Sequence, residues 1–320
     1  FYNIVNFQPK QTMTFFNIYD IKDKSNPKLL KEYKFEGNYF RARMTDGKVY
    51  LVTNTQPIIR PHPMPIIFEG TVRSSMNGSD IHFFDIPYNN PTFIVVHALD
   101  LESKTTLSSK AIAVEYGQNL YMSKNHIYIT YQERVNEYDI QKKITMKLIE
   151  PNLTANDKIL ISKIKNVDAD ILSKSEKDSK IYQVYNNRAA MFSQKDQEKL
   201  QDEIEVKLKE KIKEIKYFEY TVINKINIEN GKITPVSNGK VPGRIINQFS
   251  MDEKNDVFRI ATTLSARWSR YGKSRTESTS NVYTLDSKLN ILHRLEGMAK
   301  GERIYSTRFI DDWLYMVTFK

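Results

Sequence analysis

The sequence predicts an all-β fold: a β-propeller of four-stranded antiparallel blades, with one long inserted α-helix. Three observations predict it. Aromatic residues make up 12% of the 320 residues, with 19 Tyr and 16 Phe, a bias that suits half-buried strands better than helices. Apolar and polar residues alternate through most of the chain, the period of a strand with two different faces. A layout of roughly forty residues, with four strand-like runs each time, recurs four times along the chain, as propeller blades do.

The first repeat covers residues 12–54. Its first strand, Met13 to Ile21, ends in a Lys-Asp-Lys-Ser-Asn-Pro turn, and a second, Lys28 to Phe35, leads to Gly37. A third covers Tyr39 to Met44, and Asp46-Gly47 predicts a tight hairpin into Val49 to Thr53. The second repeat, 92–132, keeps the acidic end of strand one (Asp100), the mid-unit glycine (Gly117) and a closing IYIT. The third, 220–263, contains VPGRIINQFSMDEKNDVFRIATT, in which Pro242-Gly243 turns into the third strand and Asp252 to Asp256 reads as a hairpin. The fourth covers 281–319. The closing strands VYLVT, IYIT, FRIAT and LYMVT are nearly interchangeable. One blade cannot bury its two faces alone, so the unit must stack around a ring. Four blades rarely close one, so a partial or irregular ring is expected. Residues 133–190, where EYDIQKKITMKLIE and KIYQVYNNRAAMF read as strand pairs, are the candidate for an irregular fifth blade.

Three insertions interrupt the repeats, at 55–91, 133–219 and 264–280. In the first, Pro57, Pro61, Pro63 and Pro65 exclude a central strand and favour extended backbone, and the apolar residues between them predict a rigid cap across one face. The second carries a helix over about residues 194–216, opened by Ser193 with Asp196 and striped by Leu200, Ile204, Leu208 and Ile212. A helix laid on the propeller rim is the simplest expectation for it. In the third, Arg267, Arg270, Lys273 and Arg275 interleave with Trp268 and Tyr271, the residue types a single-stranded nucleic acid or acidic glycan would need. No RNA-binding module accompanies them, so nucleic acid is not the expected partner, and an exposed loop is the simpler reading.

The residues offer little to a catalyst. With no cysteine there is no disulfide, thiolate metal site or thiol nucleophile. The five histidines (His62, His82, His97, His126, His293) show no metal spacing, and there is no phosphate loop or Gly-x-Ser-x-Gly elbow. No cofactor or metal is therefore predicted. Asp20, Asp100 and Asp286 recur at the ends of first strands, which points to turn chemistry, and Asp252-Glu253 reads as a loop pair. The net charge of +10 is spread along the chain, and no run of about 18 apolar residues exists to span a membrane. Asn77 and Asn152 head Asn-x-Ser/Thr triplets, which fit exposed loops of a secreted chain.

VPGRIINQFSMDE with FRIATT, then NVYTLD, then GMAKGERIYSTRFIDDWLYMVTF, resembles a family of predicted secreted β-propeller proteins of bacteria and archaea, distantly related to WD repeats. The likeness extends over TFFNIYDIKDKSNPKLLKEYKFEGNYFRARMTDGKVYLVTN and the Pro-rich loop, and is weakest over 133–216. It implies a propeller, export and often tethering to the cell surface, and it hands over no catalytic residue. It also implies further blades after GERIY and an upstream segment, so a longer chain, with any anchor outside these residues, is expected. The expected function is thus a non-enzymatic, extracytoplasmic binding or scaffold module for a protein or surface polymer. Its candidate ligand residues are Arg267, Trp268, Arg270 and Tyr271 in the third insertion, with Arg41, Asn247 and Gln248 at channel-facing positions. A propeller enzyme with its site in the channel and a polyanion binder are the competing expectations.

Overall fold

The computed structural model describes residues 12–56, 64–86, 91–115, 119–168, 171–268 and 275–320. They divide into a β unit, running up to Glu133 and over Tyr220–Leu264 and Thr279–Lys320, and a helical unit over Arg134–Glu219 and Ser265–Ser278.

The β unit begins with the antiparallel pair β1 (Met13–Asp20) and β2 (Lys28–Glu36). At Gly37 the chain crosses into a new sheet, opened by β3 (Asn38–Thr45) and β4 (Lys48–Thr55). Three short strands follow: β5 (Ile66–Glu69), β6 (Val72–Ser75) and β7 (Ile81–His82). β8 (Thr92–Asp100) and β9 (Thr105–Val114) then complete the sheet that β3 opened. The next sheet is β10 (Asn119–Met122), β11 (His126–Arg134), β12 (Glu219–Glu229) and β13 (Lys232–Pro242). After it come β14 (Met251–Lys254) and β15 (Val257–Leu264), and, in the helical unit, the small hairpin β16 (Arg267–Trp268) and β17 (Arg275–Thr276). β18 (Thr279–Leu285) and β19 (Ile291–Met298) complete the β14 sheet, and a last hairpin is β20 (Arg303–Ile310) with β21 (Trp313–Phe319).

Four-stranded antiparallel sheets are thus present as expected, but the repeats are out of phase with them by two strands. Residues 12–54 supply the pair β1–β2 of one sheet and then the first pair of the next, and the other three repeats do the same. Sequence similarity fixes a period but not a phase, because a crossing between sheets and a turn within one look alike in residues. The offset also places all three insertions at one topological point, between the second and third strands of a sheet: β4 to β8, β11 to β12, and β15 to β18.

The first insertion, expected as an extended cap, also supplies strands after Pro65: β5–β6 pairs onto β2, and β7 pairs in parallel with β9. Pro65 stands just before β5; Pro57, Pro61 and Pro63 lie outside the described residues. Contrary to the expected fifth blade, the described residues of 137–190 are mainly helical. α1 (Glu137–Ile149), α2 (Ala155–Asn166), α3 (Lys174–Ala190) and α4 (Gln194–Glu214) make up the second insertion. Ile140, Ile144 and Leu148 follow at helical spacing, and Asn136, Thr154, Ser173 and Ser193 cap the four N-termini. The core of this unit is Ile149, Leu153, Ile161, Ile181, Val184 and Tyr185, and α4 lies along α1.

Within the β unit the sheets stack face to face. Tyr33 and Phe35 meet Leu51 and Leu99 across the first junction. Tyr50, Val96 and Ile112 meet Ile127, Ile129 and Val222 across the second. Tyr128 and Ile223 meet Phe258, Ile260 and Tyr283 across the third, where the Tyr128 and Phe258 rings stack at 4.1 Å.

The crossings at Gly37 and Gly243 share one hydrogen-bond scheme. Thr14 Oγ1 donates to the Gly37 carbonyl (2.8 Å) and Thr53 Oγ1 to that of Glu36 (3.1 Å). At the equivalent place Thr221 Oγ1 donates to Gly243 (2.7 Å) and Thr262 Oγ1 to Pro242 (2.7 Å). At these two crossings the threonine of the closing strand, Thr53 or Thr262, is a staple for a buried carbonyl. Thr262→Val, which keeps the shape and removes the donor, is expected to cost about 1–2 kcal/mol in a denaturant titration; an unmoved midpoint would contradict the staple. The repeated aspartates are turn residues, as their recurrence suggests: Asp20, Asp100 and Asp286 each accept backbone N–H groups from the turn that follows. Asp46 and Gly47 take the left-handed conformation a tight hairpin requires, at φ 48° and 71°.

Candidate functional site

The strands that open consecutive sheets, β3, β10, β14 and β20, converge on one pocket of about 180 Å³. Arg43 comes from β3, Tyr121 and Met122 from β10, Met251 and Asp252 from β14, and Arg308 and Phe309 from β20. Gln248 and Phe249 complete the lining from a single 3-10 turn, Gln248–Ser250, just before β14. That turn is held at both ends. The Asn247 side chain accepts the Phe249 N–H (2.9 Å), and Ser250 Oγ meets Thr307 Oγ1 at 3.0 Å.

The lining carries two arginines, Arg43 and Arg308, and one carboxylate, Asp252, which is held by Arg259. Asp252 faces Arg259 directly across the β14–β15 pair, and Arg259 binds it through Nε (2.9 Å) and a terminal nitrogen. The Tyr121 hydroxyl also reaches Asp252 (3.5 Å) while accepting the Glu253 N–H (3.0 Å). Burial, with the carboxylates of Asp252 and Glu253 beside it, pushes the Tyr121 phenol up to about 12, so it stays a neutral donor. Arg308 lies over the Phe249 ring at 3.5 Å and donates to the Thr307 carbonyl (3.1 Å). Among the described residues, neither Arg43 nor Arg308 has an acidic partner.

Behind the pocket, on the opposite face of β14, Glu253 is the hub of a buried junction. It accepts from Tyr128 (2.8 Å), Ser123 and His126 Nδ1 (2.8 Å to the nearer oxygen), with Lys225 Nζ at 3.8 Å. Burial alone would raise its carboxyl, but the hydrogen bonds from His126, Ser123 and Tyr128 outweigh that and hold it at about 2. Asp252 and Glu253 are thus strand residues on opposite faces, not the loop pair their sequence suggests; the turn is Asn255-Asp256, both with positive φ. His97 is a buried, neutral ring held by Ser109 (2.8 Å), its burial lowering it to about 3. Among the described residues no group of three or more His, Cys, Asp or Glu is arranged to hold a metal ion.

Of the residues singled out from sequence, Gln248 lines the pocket and Asn247 caps the turn that presents it. Arg41 is exposed on β3, two residues from Arg43, so the strand places both on one face, and it is Arg43 that reaches the pocket. Arg267 sits in the helical unit, ion-paired with Glu137 and with its guanidinium 3.2 Å from the centre of the Phe218 ring. Its backbone belongs to the two-residue strand it shares with Trp268, while Arg270 and Tyr271 lie outside the described residues. Arg267→Ala removes the ion pair and the ring stacking together. It is expected to destabilise the helical unit by about 1 kcal/mol, read from thermal unfolding by circular dichroism. The pocket residues missed from sequence had a signal. Arg43, Asp252 and Arg308 each stand three residues before the left-handed residue of a hairpin turn: Asp46, Asn255 and Asp311.

A family model described as a β-propeller domain matches residues 2–320. The chain belongs to the β-propeller domain family. An uncharacterized protein of Methanocaldococcus jannaschii is 30% identical over 318 residues, covering 94% of this chain and 47% of the relative. An uncharacterized protein of Archaeoglobus fulgidus is 31% identical over 294 residues, covering 90% and 44%. The propeller chain spans less than half the length of the curated relatives it matches. Among its described residues no helix is long and apolar enough to cross a membrane.

Proposed function

We propose that this propeller is a non-enzymatic binding module whose ligand sits among the opening strands of its sheets. The observation that carries this is the convergence of four such strands on one pocket. Its lining offers two arginines, an amide, a phenol and aromatic rings, while its carboxylate, Asp252, is already engaged by Arg259. Those groups hold and orient a ligand; an acid–base pair free to move protons is not part of the set. Arg43, Gln248 and Arg308 would be the anchoring groups and Phe249 the wall.

The test is a thermal-shift screen of small metabolites and saccharides against the wild-type chain and Phe249→Ser. A compound that raises Tm only in the wild type supports a ligand in this pocket. A compound that is turned over, or that stabilises both chains equally, contradicts the proposal.

An extracytoplasmic position is part of the same proposal. It is supported by the exposure of Asn77 and Asn152, each heading an Asn-x-Ser/Thr triplet. Fractionation of native cells with mass spectrometry of the two peptides decides it: a cytosolic, unmodified protein would rule the export reading out.

A further inference from the structure

Resting on the binding role proposed above, we infer that the pocket takes a carboxylate carried on a short apolar stem. The charge comes from Arg43 and Arg308, which enter from strands of different sheets and have no acidic partner among the described residues. Two cations that share one small cavity repel each other, and an anion between them relieves that. A guanidinium is a flat fork of N–H donors whose spacing matches the two oxygens of a carboxylate. Arg308 is already set for this. Its stacking on Phe249 fixes the guanidinium plane, and among the described residues only its bond to the Thr307 carbonyl is spent within the protein.

The remaining walls choose among anions. Tyr121 and Gln248 are polar and Asp252 is neutralised by Arg259, but Phe249, Phe309, Met122 and Met251 are apolar, so a bare, strongly hydrated oxyanion would lose water against them without return. A stem of a few methylene groups would gain from the same contact at about 0.8 kcal/mol per buried CH₂. Size limits the stem. At about 180 Å³ the cavity is smaller than the 300–1,000 Å³ typical of sites that enclose a drug-sized molecule, so it suits one side-chain-sized group. That group is either a free short-chain acid or the carboxylate end of a longer molecule reaching in from solvent.

The experiment uses ¹³C-methyl-methionine NMR of the whole chain. Met122 and Met251 line the pocket, and the remaining eight of the ten methionines report on the fold. Three probes are titrated: hexanoate, hexanol (stem without charge) and inorganic phosphate (charge without stem). Hexanoate is expected to move Met122 and Met251 saturably. Arg43→Gln and Arg308→Gln should each weaken it about tenfold, with the other methionine signals unmoved. Glutaryl-capped and free short-chain acids then separate the two sources of the carboxylate, and either one binding best is consistent. Hexanol binding as tightly as hexanoate, phosphate binding more tightly, or unchanged affinity in both glutamine variants would each overturn the carboxylate assignment while leaving the binding role intact. If no probe moves Met122 or Met251 and the compounds found by thermal shift do not either, the binding role fails with it.

Discussion

Glu253→Ala is expected to destabilise the β unit by about 3–5 kcal/mol, the cost of removing one partner from a buried charged junction. The Glu253 side chain is 6% exposed and that of Lys225 4%. Deleting the carboxylate strands the lysine, whose other acceptor is the Ser287 carbonyl at 3.4 Å, and removes the acceptor for Tyr128, Ser123 and His126 together. Glu253 belongs to one sheet and its four partners to the sheet before it and that sheet's β10–β11 turn, so the loss falls on a junction between blades, not on one strand. Urea titration measures it; a shift below about 1 kcal/mol would mean the network stabilises no more than a surface pair does. The same carboxylate gives stability a pH dependence. Its folded value of about 2 lies below the ordinary glutamate value of 4.5, so the unfolded chain takes up the proton first as pH falls. The contribution is complete above about pH 5 and drains away from there toward pH 2. Glu253→Gln should flatten the acid limb of the stability curve over that window, and an unchanged limb would contradict the assignment.

Gly243→Ala is the second large effect, at about 2–4 kcal/mol. Gly243 has φ +90°, which strains any L side chain, and a methyl there would lie 2.7 Å from Thr262 Oγ1 and 2.9 Å from the Thr263 carbonyl. Neither neighbour can move freely. Thr262 holds the Pro242 carbonyl, and Thr263 exchanges two 2.9 Å backbone bonds with Arg244. Gly37, at the first crossing, has φ +109° and would place a methyl 2.6 Å from the Asn54 carbonyl. Each glycine serves a passage between two sheets, so Gly37→Ala should show a loss of similar size in the same titration. Gly47→Ala makes the control, because nothing lies within 4 Å of a methyl there and only the backbone conformation is penalised. Equal losses at all three positions would show that close approach at the crossings is not what matters.

How far the sequence carried depends on the range of the interactions involved. The strands and the Asp46-Gly47 hairpin were legible because alternation and turn chemistry are written within a few residues. The family likeness placed the fold correctly for the same reason: it rests on repeated local runs. The phase of the blades was not legible, since nothing local distinguishes the Gly37 crossing from a hairpin. The helices of the second insertion were misread because Ile, Tyr and Val in EYDIQKKITMKLIE and KIYQVYNNRAAMF suit strands by residue type, while their spacing suits helices. Spacing won. In the pocket, Gln248 was visible as a polar residue in an apolar run, but Arg43 and Arg308 were not. They are nearly 270 residues apart in sequence, and only the shared position before a hairpin turn links them. Arg267 drew attention by composition and is occupied by Glu137 and Phe218.

The opening strands of successive sheets converge on one place. A chain without cysteine makes the test clean. Arg43→Cys and Arg308→Cys, combined and labelled with pyrene, put one fluorophore on β3 and one on β20, both at exposed side chains lining the pocket. The geometry predicts intramolecular excimer emission, independent of protein concentration and abolished by unfolding in urea. Monomer emission alone from the folded, doubly labelled chain would contradict it.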